Sequence, residues 1–207
     1  LTVSADATIN GHRVGRGAGN LGSNVAVGDD SLEANTTGGN NTAVGNDALR
    51  SNTTGGNNSA FGENSLDANT IGQYLTAIGS QALNANTTAS SNTAVGYNAL
   101  NANTTNGHNT AVGKDALKAN TTGANNTAVG YHALYLNTTA DNNTAVGYQS
   151  LDSTTTGAEN VAVGRYALGA TTGGENNTGV GKDALLANTT GDQNSALGVD
   201  ALTANTT

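Results

Sequence analysis

The sequence predicts an all-β fold, a parallel β-solenoid of eleven 17-residue coils, and three observations carry that prediction. The first is a fixed period: a glycine recurs every 17 residues from Gly28 to Gly198, eleven times without an insertion or deletion. Self-similarity at a short fixed period means one small unit stacked on its neighbours, none of which buries a core alone. The second is what keeps step with the glycine. A leucine follows it four residues later in every copy, from Leu32 through Leu100 to Leu202, and a threonine column runs from Thr36 through Thr104 to Thr206. The third is local: Thr93-Ala94-Val95-Gly96 is short, β-branched and closed by glycine, as a strand running into a turn is.

Residues 1–23 do not fit the period. Leu1 to Asn10 carry β-branched residues in partial alternation, and Gly11, Gly15, Gly17, Gly19 and Gly22 then punctuate a loop-like stretch. The end of a stack lacks one neighbour and needs atypical sequence, so 1–23 reads as a cap or lead-in and 24–207 as the repeat rod. Gly15-Arg16-Gly17-Ala18-Gly19 has the look of a phosphate-binding turn, but no apolar strand feeds it and no helical pattern follows. The chain opens on Leu1 and Thr207 falls short of a complete repeat, which reads as a section of something longer.

Within a copy, Ala99-Leu100-Asn101-Ala102-Asn103-Thr104-Thr105 alternates from Leu100 through Ala102 and ends in turn-forming residues. It predicts a second short strand, since the segment is too short to stand as a helix. Stacked coils at about 4.8 Å each make a rod near 50 Å long. The asparagine opening each copy (Asn24, Asn41, Asn58, then Asn92 to Asn194, broken by Leu75) is expected to bond amide to amide down the stack. The position after the anchor glycine varies freely, from Asp29 to Tyr97 to Lys182, and is expected to face water.

Composition narrows function more by exclusion. Seven Lys and Arg against fifteen Asp and Glu give a net charge of -8, which repels nucleic acid and anionic membranes. No apolar run approaches the roughly 20 residues of a membrane helix, so no membrane insertion is expected. There is no cysteine, hence no disulfide or thiolate metal site. Asp30, Asp47, Asp115, Asp183 and Asp200 share one repeat position, yet Asn98, His132 and Tyr166 interrupt the column and leave no calcium loop pattern. His12, His108 and His132 sit at scattered positions with no matching carboxylate, and read as surface histidines. No catalytic constellation recurs, so neither enzyme activity, a cofactor nor a metal is expected. Asn-Thr-Thr matches the glycosylation signal at Asn35, Asn52 and Asn103, but turns and ladders account for these residues.

Ala94 and Val95 are adjacent and both apolar, so on a strand they point to opposite faces. One face is the inside of the coil; the other needs cover, and another copy of the chain is the natural cover. Tyr97, Tyr131, Tyr135, Tyr148 and Tyr166 cluster in the middle coils at exposed positions, a candidate receptor-contact patch on which sugar rings could stack, set against plain packing on neighbouring coils.

Asn-Thr-Ala-Val-Gly-Tyr-x-Ala-Leu resembles the head repeats of trimeric autotransporter adhesins, built on an Asn-Ser-Val-Ala-Ile-Gly-like motif. It is closer still to repeats of phage tail fibres, where a lead-in like Asp6 to Gly17 precedes runs of Asn-Thr-Ala-Val-Gly-x-x-Ala-Leu-x-x-Asn-Thr-Thr-Gly. The resemblance implies a left-handed parallel β-roll shared by three chains, and an extracellular setting on a virion tail fibre or a bacterial surface. It implies a structural fibre that reaches a host surface, with itself as the main partner and a host surface glycan as a further one. The longer repeat and the leucine after alanine depart from adhesin heads. Two alternatives stand beside it: a monomeric ice-binding solenoid, motivated by the threonine columns, and a surface-layer or biofilm filament subunit.

Overall fold

The computed structural model describes residues 6–9 and 12–207. Residues 1–5, Asn10 and Gly11, which the sequence places in the lead-in, lie outside the described residues. The chain is an all-β parallel solenoid in which β3 (Val25–Val27) to β13 (Ser195–Leu197) form eleven parallel strands of one sheet, joined by ten turns of 17-residue spacing. Pairing is in perfect register: Thr93, Ala94 and Val95 of β7 (Thr93–Val95) lie against Thr110, Ala111 and Val112 of β8 (Thr110–Val112). Ala94, Ala99 and Leu100 are enclosed at 0 % exposed, and equivalents from Leu32 to Leu185 are equally closed. The core is therefore a single file of alanine and leucine running down the inside of the coil.

The N-terminal end is covered differently. β1 (Ala7–Ile9) and β2 (His12–Gly15) form an antiparallel hairpin, and β2 lies antiparallel on β3, pairing Val14 with Val27 and Gly15 with Ala26. A short 3-10 turn over Ala18–Asn20 then meets the leucine file, with the Ala18 N–H donating to the Leu32 carbonyl at 3.0 Å. The Asp6 carboxylate accepts from the Arg16 and Gly17 N–H groups at 2.7 and 3.0 Å. In the stretch that resembled a phosphate turn, two backbone donors already hold an anion of the chain itself.

Two expectations are corrected. The second strand of each coil is instead a run of three overlapping turns. In the coil of residues 92–108, the N–H groups of Ala99, Asn101 and Asn103 close back on the carbonyls of Gly96, Asn98 and Leu100. Those of Asn98, Leu100 and Ala102 reach to neighbouring coils, so the segment is fully bonded without being a strand. Asn98 and Leu100 hold φ of 55° and 50°, the positive φ that a type II turn needs at its third residue. The physical reason is visible in the burial: Ala99 and Leu100 are consecutive and both wholly inside, which the alternating faces of a strand forbid.

The opening asparagines are also corrected. Asn24 to Asn177 are buried, but Asn109 gives its Nδ2–H to the Gly123 carbonyl at 2.8 Å, while its Oδ1 accepts the Asn126 backbone N–H at 2.9 Å. Asn177 Nδ2 also reaches Asn160 Oδ1 at 3.2 Å, but the continuous amide-to-amide file belongs to the other asparagine. Asn103 Nδ2 donates to Asn86 Oδ1 at 3.2 Å, and Asn120 Nδ2 to Asn103 Oδ1 at 2.9 Å. A small side chain limits how closely backbones can stack, and this decides the glycine column. Gly96 has φ of 134°, and a Cβ there would lie 2.5 Å from the Gly113 carbonyl oxygen.

Candidate functional site

The outside of the coil carries two features that the core does not account for, a continuous apolar column and an aromatic patch. The first is the Val95 column. Its side chains leave the strand opposite Ala94: Phe61, Ile78, Val112, Val146 and Val163 are 36–42 % exposed, and Leu197 on the last strand 83 %. Beside it, the glycine corner has no side chain, and at the first two coils a groove of about 380 Å³ opens between Val27, Val44, Asp29 and Asn46 over Gly28 and Gly45. The expected second apolar face is thus present on the single chain as a file of half-exposed residues.

The aromatic patch lies on the turns after the glycine, where the period sets residues 17 apart one above another. The Tyr131 and His132 rings stack at 4.0 Å, and His132 and Tyr135 at 4.3 Å, all nearly parallel. Tyr148 stacks on Tyr131 at 5.3 Å and meets Tyr166 edge-on at 5.5 Å. Four of the five expected tyrosines are therefore brought together. Tyr97, 47 % exposed, lies in the same column two coils before Tyr131, with Lys114 between them and outside the ring pile. Cations border the rings: Lys114 sits 5.2 Å from the centre of Tyr131, Lys118 5.7 Å from Tyr135 and Arg165 4.9 Å from Tyr166.

His132 is not the isolated surface histidine that the sequence suggested. Its Nε2 is 3.6 Å from Asp115 and its Nδ1 3.8 Å from Asp152. The carboxylates come from the coil before and the coil after, so local inspection around His132 misses them. Writing the chain in columns of 17 would have shown Asp115 directly before His132. Asp115 is nearly enclosed and takes Lys114 Nζ at 2.8 Å and the Asn98 Nδ2–H at 3.1 Å. Burial opposes its charge, but the Lys114 and Asn98 contacts prevail and hold its carboxyl below the usual carboxylate range. For Asp152 burial prevails over His132 and Gln149 and pushes the carboxyl up.

Among the described residues, no group of three or more His, Asp or Glu side chains is placed to hold a metal ion. The threonine column that motivates ice binding spends its hydroxyls within the coil stack, Thr104 Oγ1 donating to the Thr121 carbonyl at 3.1 Å. No helix among these residues is long and apolar enough to cross a membrane. The residues define a solenoid repeat protein. No protein-family model, curated protein or solved structure matches the chain.

Proposed function

We propose that the chain is a structural, non-catalytic shaft segment of an extracellular attachment fibre, assembled from three copies packed along the Val95 column. The observation that carries this reading is that column: an unbroken file of apolar side chains, from Val27 to Leu197, half-exposed on the single chain. A surface that presents one apolar group about every 4.8 Å is matched over its whole length only by a surface of the same period. Another copy of the chain has that period, and burying the file between copies removes apolar area from water along the entire rod.

The number three, the left hand of the coil and the setting on a phage tail fibre or bacterial surface come from the resemblance of Asn-Thr-Ala-Val-Gly-Tyr-x-Ala-Leu to fibre and adhesin repeats. The mechanism is rigidity and reach. Every coil is tied to the next by backbone bonds in the strand, in the turns and at Thr104, so bending requires breaking several bonds at once.

Light scattering on a size-exclusion column tests the assembly. Three chains of 20.3 kDa give about 61 kDa, and replacing Val95, Val112 and Val129 with Asp should return a folded 20.3 kDa chain. A mass of 20.3 kDa for the unsubstituted protein would remove the shared-face reading.

A further inference from the structure

In one outward column the cations and rings are segregated along the rod. In the column after the anchor glycine the first four coils present Asp29, Asn46, Glu63 and Ser80, and the next six present Tyr97, Lys114, Tyr131, Tyr148, Arg165 and Lys182. No Lys or Arg lies between Arg50 and Lys114, and five of the six tyrosines fall at or after Tyr97. Nothing in the coil's own packing needs this, because the column faces outward and the first coils fold with acids and amides there. Six coils make a strip about 24 Å long.

We infer that this strip binds an unbranched, sparsely charged acidic polysaccharide laid along the rod. The strip follows the outside of six consecutive coils, which suits a polymer rather than a small ligand. Tyr97, clear of the ring pile, and Tyr148, between Tyr131 and Tyr166, are 47 and 46 % exposed, and such ring surfaces take the apolar face of a sugar. The cations answer carboxylates. Arg165 is exposed and, among the described residues, forms no ion pair; it lies three coils, about 14 Å, from Lys114.

Lys114 and Lys182 are each shared with a neighbouring carboxylate, Asp115 at 2.8 Å and Asp183 at 2.9 Å, which keeps the net charge of the strip low. A ligand with a charge on every unit, such as single-stranded nucleic acid, meets too little positive charge here on a chain of net -8. This inference deepens the attachment reading but does not depend on three chains.

The test is calorimetric titration of the whole chain with hyaluronan oligosaccharides, which carry one carboxylate per two sugars, beside dextran and a thymidine oligonucleotide. Hyaluronan should bind, less tightly as salt rises, and Tyr148→Ala and Arg165→Ala should each weaken it about tenfold while Asn46→Ala leaves it unchanged. All three positions are exposed or half-exposed, and circular dichroism should confirm an unaltered fold. Absence of hyaluronan binding, equal affinity for dextran, tighter binding of the oligonucleotide, or binding indifferent to both strip variants would each overturn the inference. A 61 kDa assembly that binds no hyaluronan keeps the shaft and loses the strip; a 20.3 kDa chain that binds it does the reverse.

Discussion

The columns inside the coil and those outside it are built from the same 17-residue sentence but obey different rules. Inside, Ala94, Leu100 and Asn103 are wholly enclosed, and each meets its own kind 17 residues away. Any change is felt by three coils at once. Outside, the Tyr97 column accepts acid, amide, hydroxyl, ring or cation, because water or a neighbour of any type can satisfy it. Where the inner asparagine file does change, the file is interrupted: Thr154 and Thr171 replace asparagine and satisfy their own hydroxyls on the carbonyls of Thr171 and Asn188, while the buried Asn137 Oδ1 before them is left without a partner. Constancy inside is thus a packing and hydrogen-bonding condition, and variety outside is the freedom left for recognition.

The largest breach of the inner rule is Leu100→Asp. A carboxylate placed in the leucine file has no partner there, and leucine's packing is lost at the same time, so the expected cost exceeds about 4 kcal/mol. In a stack where coils hold only their neighbours, the damage should sever the rod. Limited proteolysis would read it as two protected pieces flanking residue 100. An intact, fully folded protein would contradict a closed core.

Gly96→Ala comes next, at about 2 to 4 kcal/mol, because it combines a φ of 134° with the close approach of the Gly113 carbonyl. Its counterpart sharpens the point. Gly123 also abuts the next coil, but Ala89 and Ala140 already occupy its repeat position and its φ lies outside the left-handed region. Gly123→Ala should therefore shift thermal unfolding by less than about 1 kcal/mol. Equal effects at the two glycines would mean that backbone conformation does not set the strict column.

Asn103→Ala tests the amide file. It removes the donor to Asn86 and the acceptor for Asn120, leaving two buried amides each short of one partner, an expected loss of about 2 to 3 kcal/mol by chemical denaturation. Asn103→Thr should cost somewhat less, since its hydroxyl can turn to the next coil's carbonyl as those of Thr154 and Thr171 do, with the amide oxygen of the preceding coil still unpaired as Asn137 Oδ1 is.

How these rules were legible differs from column to column. Period, stacking, the leucine core and the outward apolar file all follow from which residues repeat, because an in-register stack makes equal spacing in sequence equal position in space. The turns after the glycine did not follow. Leucine at a φ near 50° has no local signature, and Leu100-Asn101-Ala102 imitates the alternation of a strand. The adjacent pair Ala99-Leu100 held the missing signal, as two neighbouring inward residues need a turn. The opening asparagine was recognisable as special, whereas the Asn103 column reads as part of a turn; which one bonds to itself depends on whether a backbone N–H or another amide lies opposite, and spacing alone does not tell. The tyrosine patch was visible as a column, whereas the environment of His132 required reading two columns across three coils.

The smallest expected effect separates two carboxylates that share one histidine. Burial raises the Asp152 pKa, so its ionised form costs stability above that raised value, and stability returns as pH falls through it toward the ordinary 3.8. Asp115 has the opposite sign. Its pKa is lowered, so its contribution is fully present above 3.8 and is lost only as pH falls through the lower folded value. The two windows lie on either side of the same number. Asp152→Asn should raise stability slightly at neutral pH, by less than about 1 kcal/mol at a partly exposed site, and the advantage over the unsubstituted chain should vanish as pH approaches 3.8 from above. Asp115→Asn should cost stability at neutral pH, and its deficit should persist until the solution is more acid than 3.8. Paired denaturant titrations of both variants across that range would measure it, and parallel curves would mean that the Lys114 and Asn98 contacts do not set Asp115 apart from Asp152.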